Sequence, residues 1–224
     1  MVKPAQSDPA PPDACTVCGR PSLDHLMAVK GVSYWRCNHC EATLMDPAHW
    51  PSPAQEKATY DLHDNQTDDP GYRTFLGKMF NPLVPRLPAH ACGLDFGCGP
   101  GPALAQMLAD TGFQMALYDP LYYPDKTVLN SRYDFITCTE VVEHLHHPRA
   151  TFAALDQMLE PGGLLAVMTC FQTNDAQFAN WHYRRDPTHV VFYREHTMAE
   201  IAQQFGWTCE VPAKDVVLFT RPET

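Results

Sequence analysis

At 224 residues, 45% of them apolar, the chain is long enough for one α/β domain of ordinary size with a small appendage, and too apolar for wholesale disorder. A formal net charge of −10 and a pI near 5.4 exclude a broad surface for nucleic acid or anionic membrane. No apolar run approaches the ~18 residues of a membrane span, and the opening stretch has one Lys and no apolar leader segment, so a cytoplasmic protein is expected.

Residues 1–13 are rich in Pro and Ala and read as a disordered tail. Cys15-Thr-Val-Cys18 follows, then eighteen residues, then Cys37-Asn-His-Cys40. Two C-x2-C pairs at this separation have the spacing of a four-cysteine zinc ribbon, here residues 14–46. Thiolates at ~2.3 Å in a tetrahedron need two residues from each tight turn. Gly19 suits such a turn, and Val29, Val32, Tyr34 and Trp35 can supply strands. Four thiolates close the coordination shell, so the Zn(2+) is expected to be structural. A segment this short has no core of its own and would draw most of its folding energy from the metal. His25 and His39 are expected at the surface. The remaining cysteines (92, 98, 138, 170 and 209) sit mostly in apolar contexts and read as small hydrophobes.

Residues 47–90 are broken by Pro47, Pro51 and Pro53, carry a weak helix at 55–62, a polar turn at 65–71 and an amphipathic helix at 72–80, and then meet Pro82, Pro85 and Pro88, which should end any helix. A β-prone run at 92–96 feeds Gly97-Cys98-Gly99-Pro100-Gly101, and a helical pattern at 102–111 follows at once. Strand, glycine turn and helix form the nucleotide-binding entry of an α/β sheet. The third glycine is one residue too early for a dinucleotide fingerprint. Gly112 suits a helix C-cap, 114–118 a second strand, and Asp119 stands at its end, where an acidic side chain accepts from ribose hydroxyls or starts a turn before Pro120. Residues 133–138 form a buried strand ending at Thr139-Glu140, followed by Val-Val-Glu143-His144-Leu145. A helix at 150–159, a Pro161-Gly162-Gly163 turn and an apolar strand to Met168 come next. Residues 181–193 crowd aromatics, two histidines and two arginines together. A helix at 197–205, with Thr197 and Glu200 as a capping box, ends at Gly206, and β segments at 207–211 and 216–220 close the chain.

Asp95-x-Gly97-x-Gly99-x-Gly101, the acidic Asp119, the run 140–145 and the Leu-x-Pro-Gly-Gly turn resemble, in order and spacing over residues 92–220, the class I S-adenosylmethionine-dependent methyltransferases of small-molecule type. The resemblance implies a Rossmann-like α/β fold in residues 91–224: a seven-stranded sheet with helices on both faces. It implies S-adenosylmethionine held by Asp95, Phe96, Gly97, Gly99, Gly101, Asp119, Pro120, Thr139 and Glu140. Helices before the first strand would form a lid with Tyr60, Tyr72 and Arg73 as candidates. The insertion after the fifth strand would face the acceptor through Trp181, Tyr183, Arg184, Arg185 and Tyr193. An imidazole titrates near neutral pH and can take a proton from an acceptor O–H or N–H. His189 is the first candidate for that base and His144 the second. Glu143 and His144 stay open between a cleft role and holding their loop together. One departure stands out. Only thirteen residues separate Asp119 from Tyr133, room at 124–129 for little more than one turn and an abbreviated third strand in place of the usual helix and strand, which leaves Leu121, Tyr122 and Tyr123 to stack on the adenine. The expected reaction is methyl transfer to a small-molecule metabolite by SN2 displacement. Two other readings remain: an RNA methyltransferase with the ribbon as RNA reader, and a non-catalytic zinc-ribbon interaction protein.

Overall fold

The computed structural model describes residues 10–62 and 66–223; most of the expected tail, residues 1–9, lies outside the described residues. A mixed sheet of six strands organises the chain. Its parallel strands are β4 (Cys92–Phe96), β5 (Gln114–Tyr118), β6 (Tyr133–Thr139) and β7 (Leu159–Met168), with β9 (Thr208–Ala213) and β10 (Val216–Thr220) added antiparallel in the order β5-β4-β6-β7-β10-β9. Six strands stand where seven were expected. Between Asp119 and Tyr133 the chain makes only an Asp119–Tyr123 bridge and the 3₁₀ turn Lys126–Asn130, so β5 is the sheet edge. A groove of about 730 Å³ borders this shortened connection, lined among others by Phe96, Tyr118, Leu129, Ala150 and Met158.

The central strands are apolar on both sides, as strands with both faces covered must be. Alternation by two divides them cleanly. Phe135, Leu164, Ala166, Met168, Val216 and Leu218 pack with Leu76, Met79 and Leu83 of α2 (Pro70–Leu83) and Leu104 and Leu108 of α3 (Ala103–Asp110). Ile136, Leu165, Val167, Val217 and Phe219 face the other way, onto Phe152 and Leu155 of α4 (Pro148–Met158) and Met198 and Ile201 of α6 (Glu195–Phe205). Helices therefore cover both faces, and among the described residues none is long and apolar enough to cross a membrane.

Three local expectations change. Pro82 lies in the last turn of α2 instead of ending the helix before it; there a missing N–H removes a single bond. The Pro161-Gly162-Gly163 turn is a bulge inside β7, the four residues between Leu159 and Leu164 opposing the single one between Tyr133 and Phe135. A Cβ on Gly163 would stand 2.8 Å from the Glu160 carbonyl, so the bulge admits only glycine there. Finally, α6 starts at Glu195; Thr197 is its third residue, and its hydroxyl accepts the Arg194 N–H at 3.0 Å.

The cysteine segment forms a second sheet of β1 (Leu23–Val29), β2 (Val32–Cys37) and β3 (Thr43–Met45). Its fourth strand comes from far along the chain. β8 (Val191–Phe192) pairs antiparallel with β3, and Met45 N–H donates to the Val190 carbonyl at 2.8 Å. The buried Tyr34 packs edge-on against Phe178 of α5 (Asp175–Phe178) and against Phe192. The cysteine sheet thus shares one core with the α4/α6 face. Polar ties reinforce the seam: Arg36 and Arg194 both bind Asp175, Arg194 also reaches Glu41, and His39 meets Glu200 at 2.7 Å. Between the cysteine sheet and α2, α1 (Pro53–Tyr60) is capped by Ser52 and Gln55 and carries Tyr60 at its end.

Candidate active site

β4 is flanked by β5 on one side and β6 on the other, so the chain reverses direction across the sheet at its carboxyl end, the place where open α/β sheets leave a crevice. Asp95 is buried there and its carboxylate accepts the Thr137 hydroxyl at 2.7 Å. Burial, moderated by that bond, pushes its pKa up to about 6. Gly97 and Gly99 both have positive φ (75° and 63°), and the Gly97 and Cys98 N–H groups donate to the Tyr118 carbonyl. Asp119 fastens the turn. One oxygen accepts Gly99 N–H at 3.1 Å, and the other accepts Leu121 N–H at 2.8 Å and Tyr122 N–H at 3.1 Å. A carboxylate offers about four acceptor sites, so three are already used and one remains, not the pair expected for two ribose hydroxyls. Phe96 packs on Tyr118 with ring centroids 5.4 Å apart, Gly101 is buried, and Pro120 is exposed at the loop surface. Tyr72 of α2 is half-buried over this end, its phenol pushed up to about 12 by burial and then by the charges of Asp95 and Glu140. Arg73 points outward, to Thr67 and Asp110.

Beside the glycine turn, across β6, lies a buried polar cluster. Glu140 adopts φ +52° and its N–H donates to Met168 O at 2.8 Å; Val141 packs where a Gly97 side chain would go. Thr139 donates to Met79 Sδ at 3.4 Å. Glu143 is fully buried. Its Oε1 accepts the Tyr183 hydroxyl at 2.5 Å. The same hydroxyl lies 3.2 Å from Glu140 Oε2 and 3.0 Å from Thr169 Oγ1. Burial, and then the neighbouring Glu143, pushes Glu140 up to about 9; burial raises Glu143 as well. His144 and His189 lie with ring centroids 4.7 Å apart. His144 Nδ1 is 3.1 Å from the Thr188 carbonyl and His189 Nδ1 is 2.7 Å from the Tyr183 carbonyl. A carbonyl can only accept, so both Nδ1 atoms carry a proton. Burial lowers the His189 pKa, which keeps it neutral. Tyr60 stands edge-on over His144 at 5.2 Å.

The predicted acceptor residues divide. Tyr60, Tyr183, His144 and His189 come together, and Trp181 adjoins them through Tyr183, 5.2 Å between ring centroids. Arg184 and Arg185 do not converge on an anion site. Arg184 is buried towards the ribbon, 3.5 Å from the Tyr34 hydroxyl, and Arg185 is exposed with Nη2 on the Asn180 carbonyl. Tyr193 is fully buried and donates to the Val142 carbonyl at 2.8 Å, inside the core. The sequence reading missed Asp186 and Thr188. Asp186 Oδ1 accepts both Thr188 N–H (2.8 Å) and Thr188 Oγ1 (2.5 Å), an Asx turn that presents the Thr188 carbonyl to His144 and starts the chain into His189. Asp-Pro-Thr is a turn signature that was there to be read.

The four cysteines form the other candidate centre. Cys15, Cys37 and Cys40 are buried, Cys18 half-buried, and their sulfurs lie within 4.8 Å of one another. The Cys15–Cys40 and Cys18–Cys37 sulfurs are each 3.6 Å apart, close to the ~3.8 Å edge of a tetrahedron with ~2.3 Å metal–sulfur bonds. The cluster is consistent with a zinc site.

Residues 69–210, more than half of the chain, match the family described as a methyltransferase domain. The chain belongs to that family and carries a class I S-adenosylmethionine-dependent methyltransferase domain. It is 26% identical over 93 residues to the ubiquinone biosynthesis O-methyltransferase of Shewanella pealeana, covering 42% of this chain and 39% of that one. A protein of the same description from Proteus mirabilis is 28% identical over 108 residues, 46% of this chain and 42% of its own length. The chain therefore spans about two-fifths of the length of these curated relatives. Among solved structures, the 1,6-didemethyltoxoflavin-N1-methyltransferase of Burkholderia thailandensis, with bound 1,6-didemethyltoxoflavin and S-adenosylhomocysteine, superposes at a TM-score of 0.50 and 16% identity, over 90% of this chain and 99% of that one. That likeness is one of fold.

Proposed function

We propose that the chain moves a methyl group from S-adenosylmethionine to a hydroxyl of a small-molecule acceptor, and that its four cysteines hold a structural zinc ion. The observation that carries the acceptor assignment is the convergence of Glu143, His144 and His189 beside the glycine turn. His189 donates its Nδ1–H to the Tyr183 carbonyl and so presents an Nε2 lone pair, which is what an acceptor that must lose a proton requires. The names of the curated relatives, O-methyltransferases, support an oxygen acceptor.

The residues of the sheet edge fit the cofactor. Gly97 and Gly99 present backbone, with open space where a Gly99 side chain would stand, and Asp119 keeps one acceptor site for a ribose hydroxyl. Asp95, Phe96, Gly101, Pro120, Thr139 and Glu140 complete that edge. The cofactor supplies an already electrophilic sulfonium methyl, so the protein's work is to position donor and acceptor and to exclude water. Residues 47–90 serve as the lid, with Tyr60 and Tyr72 over the two ends of the site. His189 takes the acceptor's proton, with His144 as the second basic nitrogen. An RNA substrate finds little support: within 14–45 the basic residues are Arg20, Lys30 and Arg36, and Arg36 is turned onto Asp175.

Calorimetric titration with S-adenosylmethionine tests the donor half; absence of heat would sink it. Filter binding of a structured RNA at low salt tests the acceptor class, because tight and salt-sensitive binding would point to nucleic acid instead.

A further inference from the structure

We propose that Asp186 is a positioning residue for His189: one carboxylate oxygen builds the turn that sets the imidazole in place, and the other supplies the negative charge the imidazole needs once it has taken the acceptor's proton. The inference rests on the methyl-transfer reading with His189 as the base, and names the group that makes His189 basic.

The carboxylate divides its oxygens between those two tasks. Oδ1 accepts the Thr188 N–H at 2.8 Å and the Thr188 hydroxyl at 2.5 Å. Thr188 is fully buried, so both bonds are made away from water and pin the turn. The Asp186 carbonyl accepts the His189 N–H at 3.3 Å, which ties the imidazole's own backbone to the same residue. On the ring itself, Nδ1–H donates to the Tyr183 carbonyl at 2.7 Å and fixes the tautomer. Oδ2 lies 3.9 Å from His189 Nε2. That separation is too long for a hydrogen bond. With a neutral ring it sets a carboxylate oxygen opposite a lone pair, which gains nothing. With a protonated ring it sets an anion opposite a cation in a buried site, where charges attract strongly. The contact is worth more after proton transfer than before it, which is the condition for an interaction to speed a reaction.

The other groups around the ring leave this task to Asp186. Glu143 and His144 approach it from the loop after β6, Tyr60 of α1 stands over His144, and Tyr183 packs on the ring from its own segment. Two of the neighbours are carboxylic acids, and their surroundings push them apart. Burial works against the Asp186 charge, but the Thr188 hydroxyl and N–H and then the two imidazoles outweigh it and hold its pKa below the ordinary carboxylate value. Burial of Glu143 outweighs its bonds and raises its pKa. Asp186 is therefore the dependable anion. His189 requires one, because burial lowers its own proton affinity. The step balances: the hydroxyl proton passes to Nε2, the oxygen lone pair forms the new O–C bond, and the C–S bond breaks with its electron pair going to sulfur. The positive charge lost at sulfur reappears on the imidazole, beside Asp186 Oδ2.

The test reads His189 directly, in the full chain loaded with zinc and without donor or acceptor. Histidine-selective isotope labelling and NMR give the ring's pKa and tautomer, with the signal assigned by its loss in His189→Gln. Asp186→Asn keeps an acceptor for Thr188 and removes the charge. It should lower the His189 pKa by about one pH unit or more while the proton stays on Nδ1. A residue that only shapes the turn would leave that pKa where it was. If Asp186→Asn does not fold, Asp186→Ser, whose hydroxyl can also accept the Thr188 N–H, takes its place. An unchanged His189 pKa in the folded variant overturns the proposal. So does a larger fall in Glu143→Gln than in Asp186→Asn, which would give the role to Glu143. Calorimetry with S-adenosylmethionine on the same samples separates the two claims. A shifted pKa without heat would remove the methyl-transfer reading and leave the Asp186–His189 pair standing, whereas heat with an unmoved pKa would remove the pair alone.

Discussion

The proposed donor and acceptor ends of the site sit side by side on one sheet edge but are built in different ways. The donor end is a single β–turn–α–β unit between Asp95 and Asp119, closed by backbone bonds from Gly97 and Cys98 to Tyr118 and by the Asp119 carboxylate. The acceptor end draws Tyr60, Glu140, Glu143, His144, Thr169, Tyr183 and His189 from four separate stretches of chain. None of those stretches holds its own position. Val190 N–H donates to the Glu143 carbonyl, Gln172 N–H to the Tyr193 carbonyl, and Met45 N–H to the Val190 carbonyl. The last of these comes from the cysteine sheet, and the Thr43 hydroxyl adds a 2.6 Å bond to Gln172. The ribbon is therefore a wall of the acceptor end and touches the donor end little. A small sheet built around four cysteines can position a site by lending it one strand pairing.

The largest expected effect breaks that dependence. Cys37→Ser removes one thiolate, and the Cys37 N–H to Ala42 carbonyl bond that leads into β3 loses its anchor. Zinc content should fall below one per chain. Since zinc supplies most of the folding energy of such a segment, thermal unfolding should move down by on the order of 10 °C or more. Turnover should drop at least a hundredfold while S-adenosylmethionine binding, read by calorimetry at low temperature, changes less than threefold. Equal losses in both would show that the two ends are not separable.

The same contrast explains what the sequence made legible. The donor end follows from local chemistry: β-prone residues, glycines that alone take positive φ with backbone close by, and an acidic residue one strand later. The strands at 92–96, 114–118 and 216–220 fall where the alternation placed them. The two cysteine pairs were legible for a similar reason, since ligand spacing is local. The acceptor end was legible only as a list of suitable residue types. Nothing in Val190-Val191-Phe192 names a partner 147 positions away, yet Thr43↔Phe192 and Leu44↔Val191 pairing decides where His189 stands. Arg184 and Tyr193 looked like cleft residues because polarity is visible in sequence and direction is not; one is turned to the ribbon and the other into the core. Length alone showed that the third-strand region is shortened, but an abbreviated strand was expected where only the Asp119–Tyr123 bridge forms.

A second prediction sharpens the donor side. Asp95 is raised to about 6 from a model-peptide value of 3.8, mainly by burial. The folded state then binds its proton more tightly than the unfolded state. Stability from this group is greatest below pH 4, falls as pH rises from about 4 to about 6, and is flat above. The difference of about two pK units corresponds to on the order of 3 kcal/mol. Asp95→Asn keeps an acceptor for Thr137 and removes the titration. Urea unfolding of the two proteins from pH 4 to 8 should show wild type losing ground on the variant across that window, while the variant binds S-adenosylmethionine more weakly. A pH-independent difference would mean the buried carboxylate carries no such penalty.

The smallest effects separate two glycines that sequence treats alike. Both Gly97 and Gly99 have positive φ, which costs an L-residue roughly 1–2 kcal/mol. Their surroundings differ. A Cβ at Gly97 would lie 2.5 Å from Val141 Cγ2, whereas a Cβ at Gly99 would meet nothing within 4 Å. Gly97→Ala should therefore cost about 2–3 kcal/mol in unfolding, the backbone strain plus the displaced valine. Gly99→Ala should cost about 1 kcal/mol, the strain alone. The consequences reach different ends. Val141 sits between Glu140 and the loop that carries Glu143 and His144, so Gly97→Ala should lower turnover at saturating donor as well as donor affinity. Gly99 faces open space on the donor side only, so its substitution should weaken S-adenosylmethionine binding and leave turnover at saturation within twofold. Steady-state kinetics on the pair decides it: identical patterns would mean that Val141 does not couple the two halves of the site.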